Sequence, residues 1–391
     1  MNLLSKKKIV VLGMMTRMPV AGVVWQTVQY LVGFERLGYE VYYVEAHGCT
    51  PSALMKTEED DGSRMAAAFI DRVLRPFDLA GRWAYHAVHA DGGYYGMTEA
   101  ELKGLYDSAA LIINLHGGTV PLPEHYATGR LVYLETDPVE LQIELYDNLQ
   151  RTLDFLSPHC AFFTFGENYG KVDCKLPVCA RFPFLPTRQP VVLDFWQGQA
   201  QGPGERFTTI ANWRQPHREI RFNGEVYHWS KHYEFLKFLD LPRRSRQAFE
   251  LALSSCGSSD QKLLQDHGWQ VSAAADVSED MDVYRTFIAQ SRGEYTVAKD
   301  QNIRLCTGWF SDRSATYLAA GRPVVTQETG FSNILPTGAG LFGFSTLDEV
   351  VAAMETINAD YERHSRAAAD VARDYFSSDV VLSDLLSHVG L

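Results

Sequence analysis

Short runs of uninterrupted apolar residues, each ending in a polar turn and followed by a helical pattern, recur along this chain. A strand that is apolar on both faces must be covered on both, which is the situation of a parallel sheet between two layers of helices. Residues 8–14 (KIVVLGM) form the first run. A loop over residues 16–22, a helix over 23–37 closed by Gly38, and a second strand over 39–46 follow. Residues 111–115, 130–134 and 161–165 read as further strands. They end in His116-Gly117-Gly118, in Glu135-Thr136-Asp137-Pro138 and in Gly166-Glu167-Asn168. Polar turns at successive strand ends mark the carboxyl edge of a doubly wound sheet, where such sheets hold ligands. No G-x-G-x-x-G follows the first strand, only Gly13 before Met14-Met15, which disfavours a nicotinamide site.

The pattern then pauses and restarts. Residues 50–108 are the least regular part, with a helical stretch at 65–74. Tyr94-Tyr95 between glycines reads either as a surface turn or as a platform for a sugar. Residues 177–190 carry four prolines and read as an extended connector. Residues 207–211 (FTTIA) begin a second α/β unit, ending in Asn212-Trp213-Arg214. Residues 214–232 are rich in Arg, His and Lys, which suits a solvated loop or a positive patch. Thr346 and Glu349 match a capping box, and residues 376–391 form a last helix capped by Ser378 or Asp379. A chain of 391 residues suits two domains. The expected division is 1–185, 190–375, and a terminal helix over 376–391 that packs back on the first domain.

Composition narrows the partners. The net charge of −12 argues against nucleic acid or an anionic membrane as a general partner. The six cysteines, Cys49, Cys160, Cys174, Cys179, Cys256 and Cys306, form no C-x-x-C pair. A zinc site and a disulfide scaffold are therefore not expected, and a cytoplasmic location is. The basic and then apolar start, MNLLSKKKIVVLGMM, is too short for a signal peptide and meets Thr16-Arg17, so it reads as a first strand.

The most informative stretch is residues 308–331, GWFSDRSATYLAAGRPVVTQETGF. Ser311 and Asp312 are N-cap types, Ser314 to Ala320 favours a helix, and Gly321 closes it. Arg322-Pro323 stops the helix, and Pro-Val-Val-Thr reads as a buried strand leading to Gln327-Glu328-Thr329-Gly330. A helix N-terminus with an arginine beside it suits a diphosphate, and a polar loop one strand later suits a ribose.

This order of small-residue helix, Ala-Ala-Gly-Arg-Pro-Val-Val and Thr-Gly resembles the donor-binding region of glycosyltransferases of the GT-B fold. The retaining branch of that fold places two glutamates eight positions apart in this stretch. Gly308 and Thr316 stand there instead, so those roles do not carry over. The resemblance implies an α/β protein of two facing doubly wound, Rossmann-like domains, with the C-terminal helix crossing back to the first. It implies transfer of a sugar from a UDP, GDP or dTDP sugar to an acceptor (a small molecule, a glycan or a lipid-linked sugar). It also implies metal-independent neutralisation of the diphosphate by a helix N-terminus and basic side chains. The candidate donor-binding residues are Asn212, Lys231, Lys299, Ser311, Asp312, Arg313, Ser314, Glu328, Thr329 and Gly330. His116 and Asp137 are the candidates for proton transfer or sugar contact. For Asp137 the rival reading is an N-cap before Pro138. Two alternatives share the fold: a sugar-nucleotide 2-epimerase using Glu135 and Asp137, and a non-catalytic nucleotide-sugar-binding protein.

Overall fold

A computed structural model describes residues 6–198, 204–216 and 218–391. Residues 1–5 of the basic start and His217 of the basic stretch therefore lie outside the described residues. Two sheets organise the chain. The first comprises β1 (Lys8–Leu12), β2 (Glu40–Glu45), β3 (Trp83–His86), β4 (Tyr94–Tyr95), β5 (Ala109–Leu115), β6 (Leu131–Glu135), β7 (Ala161–Thr164) and β8 (Phe184–Pro186). Its order is β4-β3-β2-β1-β5-β6-β7-β8, parallel except where β4 pairs antiparallel with β3. The second holds β9 (Arg206–Asn212), β12 (Ala248–Ser254), β13 (Gln270–Ala273), β14 (Gly293–Thr296), β15 (Val324–Gln327) and β16 (Leu341–Phe344). Its order, β13-β12-β9-β14-β15-β16, is parallel throughout. A separate hairpin, β10 (Ile220–Phe222) and β11 (Glu225–Tyr227), interrupts the basic stretch.

Both sheets turn their order about a central strand, β1 in one and β9 in the other, as doubly wound sheets do. Ile9, Val10, Val11 and Leu12 are all fully buried, which requires helices on both faces of β1. The helix Ser378–His388 lies on the first-domain helix Ala21–Arg36, burying Val381, Leu382, Leu385 and Leu386. A side chain at Gly33 would come within 2.5 Å of Leu382, so glycine there permits the close approach of the two helices. The chain enters that helix by pairing with the interdomain connector. Val191 donates its amide to Phe376 and Ser378 donates to Val191, at 2.6 and 2.8 Å.

Several local expectations change. Residues 50–108 hold β3, β4 and a helix, Glu99–Ser108, whose capping box joins Thr98 to Glu101. The paired tyrosines form the edge strand β4. The proline-rich connector contributes β8, because an edge strand tolerates a missing amide donor. The capping box of Thr346 and Glu349 is present. The last helix instead has Ser377 at its N-cap position, with no side-chain bond. No helix among the described residues is long and apolar enough to cross a membrane.

Candidate functional site

The carboxyl ends of the two sheets face each other, and the turns there interlock. Asn168, after β7, donates its amide to Thr307 at 3.0 Å and its side-chain Nδ2 to the Cys306 carbonyl at 2.9 Å. Gly308 follows with φ +76°. A Cβ there would sit 2.5 Å from the Asn168 nitrogen, so the position admits only glycine for this contact. Trp309 then crosses the cleft, and its indole Nε1 donates to the Thr136 carbonyl at 3.1 Å.

Thr136 also holds His116. Its hydroxyl lies 2.8 Å from His116 Nδ1, leaving Nε2 buried without a partner. His116 has φ +65°, an uncommon conformation for a non-glycine residue and one concentrated at functional turns. Burial drives its pKa from 6.5 to about 4, so the ring is neutral at neutral pH. Asp137 does not cap a helix. The next helix starts at Glu140, behind Val139, and Asp137 pairs across the cleft with Lys299. Its second oxygen, Oδ1, is buried and unpartnered. Glu135 points into the first domain, against Gln142 and Thr164, and burial raises its carboxyl to about 7.

The second domain brings the basic residues together. Lys231 and Lys299 are each only 9% exposed. Lys299 stacks over Trp229 at 3.3 Å, and Lys231 lies over Trp309 at 5.9 Å. Burial, followed by the charges of Arg313 and Lys299, lowers the Lys231 pKa to about 7. Burial also lowers that of Lys299, with Asp137 opposing. Among the described residues no carboxylate forms an ion pair with Lys231.

The helix that points at this cluster is Asp312–Ala319. Ser311 occupies its N-cap position without a side-chain bond, so the first amides keep their positive end uncapped by that hydroxyl. Ser314 is fully buried and its Oγ has no partner. Burial raises the Asp312 carboxyl, with Arg313 opposing. Asn212, at the end of β9, likewise keeps a buried, unpartnered Oδ1. A buried polar atom without a partner costs on the order of 1–3 kcal/mol, so these groups favour a polar ligand.

Two sequence expectations are corrected here. Arg313, expected beside the diphosphate, does not point into the cleft. It turns inward, donating to Glu294 Oε1 at 2.6 Å, the Ile210 carbonyl at 2.6 Å and Thr296 Oγ1 at 3.0 Å. Its charge reaches the cluster, and each of its three guanidinium nitrogens donates to protein. Glu328 also turns back, with Oε1 accepting the amides of Thr329 and Gly330 at 3.0 and 2.7 Å. Thr329 Oγ1 donates to the Trp309 carbonyl at 2.7 Å, so this loop shapes the Trp309 turn.

Trp309, Trp229, Thr136 and Asn168 were not singled out from the sequence. The local signals were the strand-end turns that hold Thr136 and Asn168, and a tryptophan directly after Gly308. The metal-independent expectation also supposed that the chain holds no Asp-x-Asp triplet, which is wrong, since Asp280-Met281-Asp282 is one. Asp280 caps its own helix, accepting the amides of Asp282 and Val283 at 2.8 and 3.0 Å, and Asp282 pairs with Arg285. Both carboxylates thus have protein partners of their own.

No family model matches the sequence, and a search of curated proteins finds no match. Among solved structures the chain is similar to AviGT4, a glycosyltransferase involved in avilamycin A biosynthesis. The identity is 13%, over 98% of this chain and 96% of that one, with a TM-score of 0.52. It is similar to HepE from Anabaena, solved with UDP and glucose, at 11% identity over 98% and 99%, with a TM-score of 0.53. It is also similar to sucrose-phosphate synthase from Thermosynechococcus elongatus, at 10% identity over 98% and 99%, with a TM-score of 0.51. Likeness at this identity establishes the fold: two facing Rossmann-like domains in the GT-B arrangement.

Proposed function

We propose that the protein is a glycosyltransferase that moves a sugar from a nucleoside-diphosphate sugar to an acceptor without a metal ion. The observation that carries this reading is the cationic cluster of Lys231, Lys299 and Arg313 beside the N-terminus of the Asp312–Ala319 helix. Buried like charges repel, and although Glu294 and Asp312 lie near enough to oppose them, no carboxylate among the described residues pairs directly with the Lys231 ammonium. A diphosphate placed there supplies the missing negative charge. The same groups then stabilise the charge that develops on the leaving diphosphate as the anomeric bond breaks. Lys231 and Ser314 are the contacts in this reading. Arg313 acts at longer range through its charge. Asn212 offers an amide at the end of β9.

On the facing sheet, neutral His116 presents an unpartnered Nε2, suited to a sugar hydroxyl or to taking a proton from the acceptor. Asp137 keeps one oxygen for the same space while holding Lys299 with the other. HepE, which shares the fold and is solved with UDP and glucose, supports a sugar-nucleotide donor by analogy. The epimerase reading is weaker because Glu135 faces Gln142 and Thr164 within the first domain. Incubation with a panel of UDP-, GDP- and dTDP-sugars tests the proposal. Release of free nucleoside diphosphate supports transfer or hydrolysis. An altered sugar on an intact nucleotide points to epimerisation, and binding without turnover points to a non-catalytic protein.

A further inference from the structure

The basic stretch between β9 and the helix His232–Lys237 is built as a strap, not as a solvated loop. Hairpin β10–β11 buries Ile220, Phe222 and Tyr227 with Trp229 against Val139, Ile143 and Leu176 of the first domain and Leu305 of the second. Its backbone is tied down as well. Arg304 donates to the Val226 carbonyl at 2.7 Å, and Asp300 accepts the His228 amide at 3.0 Å. Alongside this strap lies a cleft of about 660 Å³, lined by Arg214, Arg218, Arg221, His228, Trp229 and His232 among others.

The charges in this cleft do not cancel. Arg214 is neutralised by Asp260 at 2.8 Å, and Glu219 lies 3.3 Å from His228. Among the described residues no carboxylate pairs with Arg218 or Arg221. Arg218 is held over the Trp229 ring at 4.6 Å. His232, 5% exposed, lines the same cleft with a buried, unpartnered Nδ1. Arg218 and Arg221 are exposed guanidinium groups and Glu219 lines the same cleft, so the side chains leave it a net positive charge, which an anion can neutralise. A phosphate monoester offers three strong acceptor oxygens to the two guanidinium forks, whereas a carboxylate offers two. The cleft is also larger than a phosphate needs, leaving room for the group that bears it. Lys231, Lys299 and Ser314 are not among its lining residues, although Ser230 and His232, on either side of Lys231, are.

We propose that the cleft beside the β10–β11 strap binds a phosphate monoester on the acceptor, next to but distinct from the donor diphosphate. The assignment to the acceptor rests on the donor reading given above. The anion site itself does not. The test is calorimetric titration of inorganic phosphate into the full-length protein, alone and saturated with whichever of UDP, GDP or dTDP it binds. Phosphate should bind the nucleotide-saturated protein. Acetate at the same concentration should not displace it. The double variant Arg218→Ala/Arg221→Ala should weaken phosphate binding at least about tenfold while leaving nucleotide affinity and the melting temperature unchanged. Competition between phosphate and nucleotide, or loss of nucleotide affinity in the double variant, would overturn the proposal by making the cleft part of the donor site. Phosphate binding that the arginine substitutions do not alter would mean an adventitious ion only. If no nucleotide binds but the arginine-dependent phosphate site is present, the donor reading fails and the anion site stands.

Discussion

Replacing Lys231 by methionine separates what the buried ammonium costs from what it is for. Its pKa falls from the ordinary lysine value of 10.5 to about 7, through burial and then the charges of Arg313 and Lys299. Each tenfold loss of proton affinity is worth about 1.4 kcal/mol, so carrying that charge at pH 7 costs the folded protein roughly 4–5 kcal/mol. The sign follows from the proton count. The unfolded chain keeps this proton up to about pH 10.5 and the folded chain only to about 7, so the folded state binds fewer protons across that window. Stability therefore rises with pH from about 7 to 10.5, and the full cost is present below 7. Methionine has a similar reach and no charge. Lys231→Met should raise the stability of the ligand-free protein at pH 7 by up to roughly 4 kcal/mol, reduced by the lost contact with Trp309. Most of the gain should disappear near pH 10. The same variant should weaken nucleoside-diphosphate binding at least about tenfold, because a charge-assisted contact is worth roughly 1.5–3 kcal/mol. Urea unfolding at pH 7 and 10, together with calorimetric titration of UDP, GDP and dTDP, measures both effects. A less stable variant with unchanged nucleotide affinity would refute the reasoning, since Lys231 would then be a structural lysine.

Arg313→Ala should destabilise the ligand-free protein by roughly 3–5 kcal/mol, because it leaves the fully buried Glu294 carboxylate unpaired. Thermal unfolding should show a clear drop that Arg313→Ala/Glu294→Gln partly recovers, and an unchanged melting temperature would contradict the buried pair. His116→Ala and Asp137→Ala should each lower turnover more than donor affinity, and wild-type rates in both would remove the cleft edge of the first domain from catalysis. Activity should survive EDTA. A complete loss restored by magnesium or manganese would instead implicate a metal site, with Asp280 and Asp282 the first residues to substitute.

The central strands and the turn residues at their ends were legible in the sequence, because each depends on neighbours close in the chain, whereas β3, β4, β8 and the hairpin β10–β11 were not. An apolar run such as Ile9 to Leu12 needs cover on both faces whatever covers it. Gly38 and Gly321 end helices by their own backbone freedom, at φ +93° and +66°. The GT-B arrangement was expected from a resemblance, which a helix, a Gly-Arg-Pro stop and a strand in fixed succession carried. Side-chain partnerships were not legible, because they are made by residues far apart in the chain. Asp137 looked like a helix cap from Pro138 beside it, yet its partner is Lys299, 162 positions away on the facing domain. Arg313 looked like a diphosphate ligand at a helix start. The helix packs so that this side chain passes under β9 and β14 to Glu294, and only the adjacency of those strands determines that. The basic stretch of residues 214–232 is equally ambiguous as a string. Its hairpin becomes a strap because the apolar residues of β10 and β11 find Val139, Ile143 and Leu176 on the other domain, and that burial sets the arginines around a cleft. Periodicity and turn chemistry act over a few residues and so belong to the sequence. Charge pairing and desolvation act over a few ångströms of space, which the tertiary structure alone assigns.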